Sequence, residues 1–549
     1  MTTAPANPIR PTGLGRAPAR AGLVLMTLII GAIVANVNTS ISNVALPSIG
    51  RALDATDTQL TGITDAYQLG IAATVLYLGA VGDRYGRKWL LLAGAALCVP
   101  FSLLSAFATS ASMLIVAQIA VGVACGMLYP TTLSLISSLW SGAGMTRAIA
   151  LWTGIGTGTS VLGPIAGGWL LGRYWWGSVF LITVPIAILV LVLGAVFLPR
   201  HSGETTAPVD HRGGNLSVVM IASFVLGIIL LPQGFTPVIG LLFGATVVSG
   251  WLFWRRQHRA PNPLFDFKAA AIPTFWVSFV VGLIAFGALV GGMFIGQQFT
   301  QNVLGQDPFV AVLLTLGLAA GMLPASVVAG RVIESSGTRL PFMLGLAVIA
   351  AGFVEMLVSW RPGASLAWVV VAYLLIGIGI GFAATAGMRS LSASLPISKA
   401  GMSSASADLT KDLGGAVFQA LLGTLLAIAY SDYFARAFAS LPADEATKLG
   451  NRAAQEIAGS YEGAETVAQT LPGADSAQLI AAAQQAFSDG KALAIGVALV
   501  SVVIGLFLVW WKYPDATEER RLFAGIRAED EAESSTIPLP SSGGPGQAS

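Results

Sequence analysis

Fourteen apolar runs of membrane-spanning length, separated by charged or Pro- and Gly-bearing breaks, leave this chain almost no way to fold in water. They fall near 21–46, 59–81, 89–108, 112–134, 146–171, 176–198, 216–232, 237–254, 274–296, 309–332, 340–359, 365–387, 402–430 and 492–511. A helix of about 20 apolar residues crosses the hydrocarbon core of a bilayer, since each residue rises about 1.5 Å. The runs are continuous rather than alternating with period two, which excludes a membrane β-barrel. Only 10% of residues are charged, against about 25% in soluble domains. Mean hydropathy is +0.75. The fold class is therefore an all-α polytopic membrane protein. The seventh and eighth runs are short and interrupted by Pro232 and Pro237. The first follows Arg10, Arg16 and Arg20 and exceeds the length of a secretory h-region, so it reads as an uncleaved span.

An even number of spans puts both termini on one side. Placing that side in the cytoplasm keeps most of the 29 Lys and Arg inside, as topology prefers. The expected organisation is a tail at 1–20, a six-helix half at 21–198 and a linker with two inserted helices at 199–273. A second six-helix half follows at 274–511, with an acidic external loop at 431–490, and a cytoplasmic tail at 512–549 reads as disordered by composition. A net charge of +2, with no basic run interleaved with aromatics, argues against nucleic acid. Cys98 and Cys125 lie inside apolar runs and form no metal-ligand set or disulfide framework. No catalytic triad or phosphate-cradling loop is present, so neither an enzyme nor a cofactor is expected.

The most informative pattern is a duplicated loop. "GAVGDRYGRK" (79–88) joins the second and third spans, and "GRVIESSGTR" (330–339) joins the tenth and eleventh. Both read Gly, three residues, an acid, two residues, Gly, one residue, a base: Gly79, Asp83, Gly86 and Lys88, then Gly330, Glu334, Gly337 and Arg339. Two copies in matching places indicate two pseudo-equivalent halves, the architecture of many secondary transporters. In each, the acid is suited to the amino end of a neighbouring helix.

At these residues the chain resembles the major facilitator superfamily, and within it the fourteen-span drug:proton antiporters. Gly79, Asp83, Arg84, Gly86, Arg87 and Lys88 match the superfamily's gating loop. "GTGTSVLGPIAGG" (156–168) resembles the antiporter motif of the fifth span, with Gly163, Pro164, Gly167 and Gly168 in place. "NVALP" (43–47) is similar to the end of the first-span motif. "YPTTLSLI" (129–136) and "SKAGMSSASADLTKDLGG" (398–415) resemble the exporters of quaternary ammonium compounds. The resemblance implies two six-helix halves plus two inserted helices. It also exposes two departures. Asn38 stands where the family carries an acid, and Gln118 where it carries an Arg implicated in proton coupling.

Ionisable residues at membrane depth each cost about 2.5–3.5 kcal/mol on insertion scales and read as functional. Asp65 has a counterpart in the quaternary-ammonium exporters and is the first choice for a proton or cation site. Asp408 and Asp412, four apart on one helix face, join it, with Lys411 on the adjoining strip. Depth arithmetic puts Asn38, Asp65 and Gln118 at one level, as a possible polar cluster. One alternative is that Asp408, Lys411 and Asp412 neutralise one another and merely anchor the helix. Tyr67, Gln68, Tyr129, Trp152, Phe294 and Phe418 are candidates to line a cavity for flat lipophilic cations. Core packing is the competing role for each.

The expected function is export of lipophilic, cationic drugs across a bacterial cytoplasmic membrane, coupled to proton influx, by a monomer working through alternating access. The expected partners are a lipophilic small molecule, protons and membrane lipid. Alternatives are export of an amphipathic lipid or natural product with altered coupling, and a non-transporting membrane receptor or scaffold.

Overall fold

The computed structural model describes residues 20–199 except 54 and 56, then 208–230, 236–439, 453–454, 457–458, 461–471 and 473–536. Some helical side chains, those of Asn43, Pro47, Asp65 and Pro164 among them, lie outside the description. The described residues form helices and connecting turns, with no strand.

In chain order the N-terminal half comprises α1 (Ala21–Leu53), α2 (Asp57–Tyr85), α3 (Arg87–Ala106), α4 (Ala111–Leu139), α5 (Gly142–Leu171) and α6 (Thr183–Phe197). The inserted pair is α7 (His211–Leu230) and α8 (Pro237–Gln257). The C-terminal half comprises α9 (Pro273–Gln298), α10 (Leu316–Ser336), α11 (Arg339–Ser359), α12 (Leu366–Ala393), α13 (Ala400–Ala439) and α14 (Gly473–Lys512). A last helix, α15, covers Ala516–Thr536. Among the described residues twelve helices are long and apolar enough to cross a membrane. α2 and α5, of 29 and 30 residues, run alongside them in the same bundle.

The duplication seen in the loops recurs in the packing. In the first half α1 packs on α4, α5 and α6, α2 on α4, and α3 on α4 and α6. In the second, α9 packs on α12, α13 and α14, α10 on α12, and α11 on α12 and α14. Each contact reappears eight helices later. The halves meet through α2 and α4 against α13, and through α10 and α12 against α5, which are the same contacts exchanged.

Small residues set these distances, because lipid supplies no hydrophobic drive between helices and close backbone approach must hold them. A Cβ at Gly122 of α4 would collide with the Tyr67 carbonyl of α2, and one at Gly377 of α12 with the Leu318 carbonyl of α10. Gly122→Val is expected to force these helices apart at a cost of about 3 kcal/mol, read as a lowered thermal midpoint of the detergent-purified chain. An unchanged midpoint would show that the α2–α4 contact is loose.

We call the end of the bundle bearing the two matched loops the motif face. There, α7 lies against α2, with the Tyr77 ring over Gly214 and the Tyr77 hydroxyl 2.8 Å from His211 Nδ1. Buried Asp210 ties the inserted pair together. It accepts from Arg256 Nε and Nη2, both at 3.1 Å, and from the Gly213 amide at 3.1 Å. Burial alone would push its carboxyl up, but these bonds outweigh that and hold it below the usual carboxylate range.

Two expectations change. The tail at 512–549 is not disordered throughout, since α15 is helical and docked. Asp515 starts α15 by accepting the amides of Glu518 and Thr517, both at 2.9 Å, which hold its carboxyl below the ordinary range. Glu519, 3% exposed, accepts the Thr338 amide at 2.8 Å and the Thr338 hydroxyl, satisfying the amino end of α11. Residues 537–549 lie outside the description. The segment 431–490 is also largely helical where described: α13 extends to Ala439, Tyr461–Ala468 is a separate helix, and α14 begins at Gly473.

Candidate functional site

The halves are joined on the motif face by one construction used twice. In the first copy Asp83 Oδ2 accepts the Gly401 amide at 2.7 Å, at the start of α13. Asp83 Oδ1 accepts from Arg87 Nη2 at 2.8 Å and Nε at 3.0 Å, and Arg87 Nη2 also donates to the Ile397 carbonyl at 2.7 Å. Arg87 is 1% exposed. Gly79 allows this approach, as a Cβ there would stand 2.8 Å from the Gly401 carbonyl. In the second copy Glu334 accepts from Arg147, at the start of α5, at 3.1 and 3.3 Å. Gly330 passes Ala150, which a Cβ at that glycine would approach to 3.3 Å. Gly86 and Gly337 hold the same place in the pattern for one reason: their φ angles of 113° and 78° lie where a side chain is strained.

The bases of the two loops do different work. Lys88 donates to the Ala195 and Leu198 carbonyls at 2.9 and 2.7 Å, capping α6, whereas Arg339 donates to the Trp510 carbonyl. Arg84 is half-buried at the end of α2. Farther into the bundle α5 and α1 touch through Gly156 against Ala32 and Gly167 against Ile41. Gly163 is buried, Gly168 lies 4.0 Å from Phe309 by its would-be Cβ, and the Pro164 side chain lies outside the description.

At mid-depth α13 presents its ionisable stretch to the N-terminal half. Lys411 Nζ donates to Asn36 Oδ1 at 2.6 Å and lies 4.5 Å from the centre of the Tyr129 ring. Trp152 packs on Tyr129, centroids 5.2 Å apart, and is fixed by its indole N–H donating to Thr132 Oγ1 at 2.9 Å. The Tyr67 hydroxyl donates to the Ala35 carbonyl at 2.8 Å, locking α2 to the stretch of α1 that carries Asn36. Lys411 is thus held across the interface by its hydrogen bond to Asn36. Asp408 is 1% exposed, and neither carboxylate oxygen has a hydrogen-bond partner among the described residues. Asp412, one turn deeper, is half-buried.

Several sequence candidates therefore converge on one seam: Asp408, Lys411, Asp412, Tyr67, Tyr129 and Trp152. Others do not. Phe418 fills the space over Gly287 and Phe294 meets Gly423, so both pack α9 against α13. Gln118 donates to Ser105 of α3 at 3.2 Å, a bond directed away from α1 and α13, and the Asn38 amide has no partner among the described residues. Gln68 is half-buried on α2, and the Asp65 side chain lies outside the description. Sequence reasoning missed Asn36, two residues before the motif position that drew attention. It also missed Arg389 of α12, which is 7% exposed, bonds Thr146 of α5 at 3.0 Å and stacks 5.4 Å from the Phe523 ring of α15. Arg389 stands two residues past the apolar run 365–387, on the helix that continues it, which hid the signal of an ionisable residue at depth.

Two like-packed helical halves, joined across one face by paired loops and carrying ionisable side chains within their helices, define a polytopic membrane protein of two pseudo-equivalent halves. The chain belongs to the Major Facilitator Superfamily, which residues 28–419 match. It is 32% identical over 504 residues to the multidrug efflux pump LfrA of Mycolicibacterium smegmatis, spanning 90% of this chain and 96% of that one. It is 29% identical to the methyl viologen resistance protein SmvA of Salmonella typhimurium, spanning 89% and 98%. The human organic anion transporter MFSD10 shares the fold, with a TM-score of 0.58 at 12% identity over 89% of this chain and 100% of that one.

Proposed function

We propose that this chain is a secondary active exporter in a bacterial cytoplasmic membrane, with both termini inside. It moves lipophilic cations outward in exchange for protons, as a monomer. One observation carries the reading: the seam between the halves already seats a cation, the Lys411 ammonium, on the Tyr129 ring and Asn36. A cationic guest of matching chemistry competes for that seat, beside Asp408 and Asp412. Similarity to LfrA and SmvA supports drug export, and methyl viologen, named for the latter, is an organic dication.

In this reading the motif face is cytoplasmic and the structure is closed on that side. The carboxyls of Asp65, Asp408 and Asp412 gain protons when the seam opens outward and lose them inward, and the cation enters as they ionise. A second reading, export of an amphipathic lipid or natural product with altered coupling, draws on the neutral Asn38 and Gln118 and on the repulsion Lys411 exerts on cations.

The test uses inverted vesicles with an acidic lumen, supplied with tetraphenylphosphonium in the outer medium. Proton-driven accumulation that a protonophore abolishes is expected. Accumulation that survives the protonophore rejects coupling, and none at any pH, alongside lipid movement, favours the second reading.

A further inference from the structure

On the face opposite the motif loops the C-terminal half encloses a cavity of about 600 Å³, within the range of drug-sized sites. Its walls come from α9, α13, α14 and the helix Tyr461–Ala468. Among the described residues none of the N-terminal half lines it. The polar seam lies between the halves and is remade whenever they rock, whereas this cavity moves with one half and persists through the cycle.

Its chemistry is selective. α9 ends in a π-helical turn, Phe299–Val303, a widened form that is rare and recurs at functional sites. That turn and the residue before it supply three carboxamides, Gln298, Gln301 and Asn302. Tyr430, Tyr461 and Phe487 add aromatic rings to the lining. Glu465 is the charged group among the described residues of the lining and is exposed, so it stands at the mouth. Among the described residues the lining offers a carboxylate, aromatic rings and uncharged hydrogen-bonding groups, a set that suits a flat or globular organic monocation.

We propose that this cavity is a second organic-cation site, separate from the seam, where an exported molecule rests on the outer side before release. The proposal takes its ligand class from the function proposed above but not its location. Glu465 steers and holds the charge while the carboxamides and aromatic rings hold the body.

Equilibrium binding of radiolabelled tetraphenylphosphonium to the full chain in lipid nanodiscs tests it. Two classes of site are expected. Glu465→Gln should weaken one class roughly tenfold, the loss of one partly screened charge contact. Ala427→Trp, which fills the cavity from an exposed wall position, should remove that class altogether. Asp408→Asn should leave it intact. If Asp408→Asn removes all binding, or if neither Glu465→Gln nor Ala427→Trp changes any of it, the outer site does not exist and the seam reading stands alone. If Ala427→Trp removes all binding and Asp408→Asn none, the outer site stands and the seam reading falls.

Discussion

Asp408→Asn is expected to reduce proton-driven extrusion of a lipophilic cation at least about a hundredfold, while the protein reaches the membrane in normal amount. The size follows from the position. A hundredfold corresponds to about 2.7 kcal/mol in the transport barrier, a modest fraction of what a buried ionisable group can control. The specificity follows from the surroundings. The change breaks no hydrogen bond among the described residues, because neither carboxylate oxygen has a partner there, and Asn has nearly the same shape. A failure of folding is therefore not the expected route. Asp65→Asn should give a similar loss and Asp412→Asn a smaller one, since Asp412 is less buried. The discriminating measurement pairs gradient-driven transport with counterflow, in which labelled and unlabelled cation exchange without a gradient. A carrier of the proton should lose the first and keep the second. Wild-type gradient-driven transport in Asp408→Asn would remove it from the coupling chemistry.

The helices were legible because the bilayer imposes one length and one polarity on each of them, and the matched loops at 79–88 and 330–339 announced the two halves. What stayed hidden depended on contacts between distant segments. The polar surface of α15 has no long apolar stripe, so composition alone marks it as solvated. Its stability comes from Glu519 reaching Thr338 and from Phe523 meeting Arg389, pairings that no local pattern reveals. The same holds at the seam. The spacing of Asp408, Lys411 and Asp412 left a local network open as an alternative and gave no sign that Lys411 reaches across 375 positions of sequence to Asn36. Depth arithmetic grouped Asn38 with Gln118, but depth says nothing about which side of a helix a residue occupies, and Gln118 turns to Ser105. The family resemblance singled out Asn38 rather than Asn36, while the helix's 3.6-residue turn puts the two on different sides.

Asp83→Ala is expected to open the motif face, whereas Glu334→Ala, at the matching position of the other half, should change little. The difference lies in burial. Asp83 and Arg87 form an ion pair at 7% and 1% side-chain exposure, and the same carboxylate holds the Gly401 amide at the start of α13 across the interface. Removing it costs about 3–5 kcal/mol, because a buried guanidinium loses its counter-charge. That cost falls only on the form in which the halves are closed here, so the balance shifts toward the open form by on the order of a hundredfold or more. Arg147, by contrast, is 72% exposed in its pair with Glu334, and surface pairs contribute about 0–1 kcal/mol. Ser404 reports the change. It is fully buried on α13, so Ser404→Cys, in a chain whose Cys98 and Cys125 are replaced, should react slowly with a polar maleimide. Adding Asp83→Ala should speed the reaction strongly, and adding Glu334→Ala should not. Further replacement of Arg87 by Ala should recover thermal stability, since no buried charge remains unpaired, yet leave Ser404→Cys reactive, since the Gly401 amide still lacks its acceptor. Equal labelling in the Asp83 and Glu334 variants would mean that the two loops share the closing work evenly and that burial does not decide it.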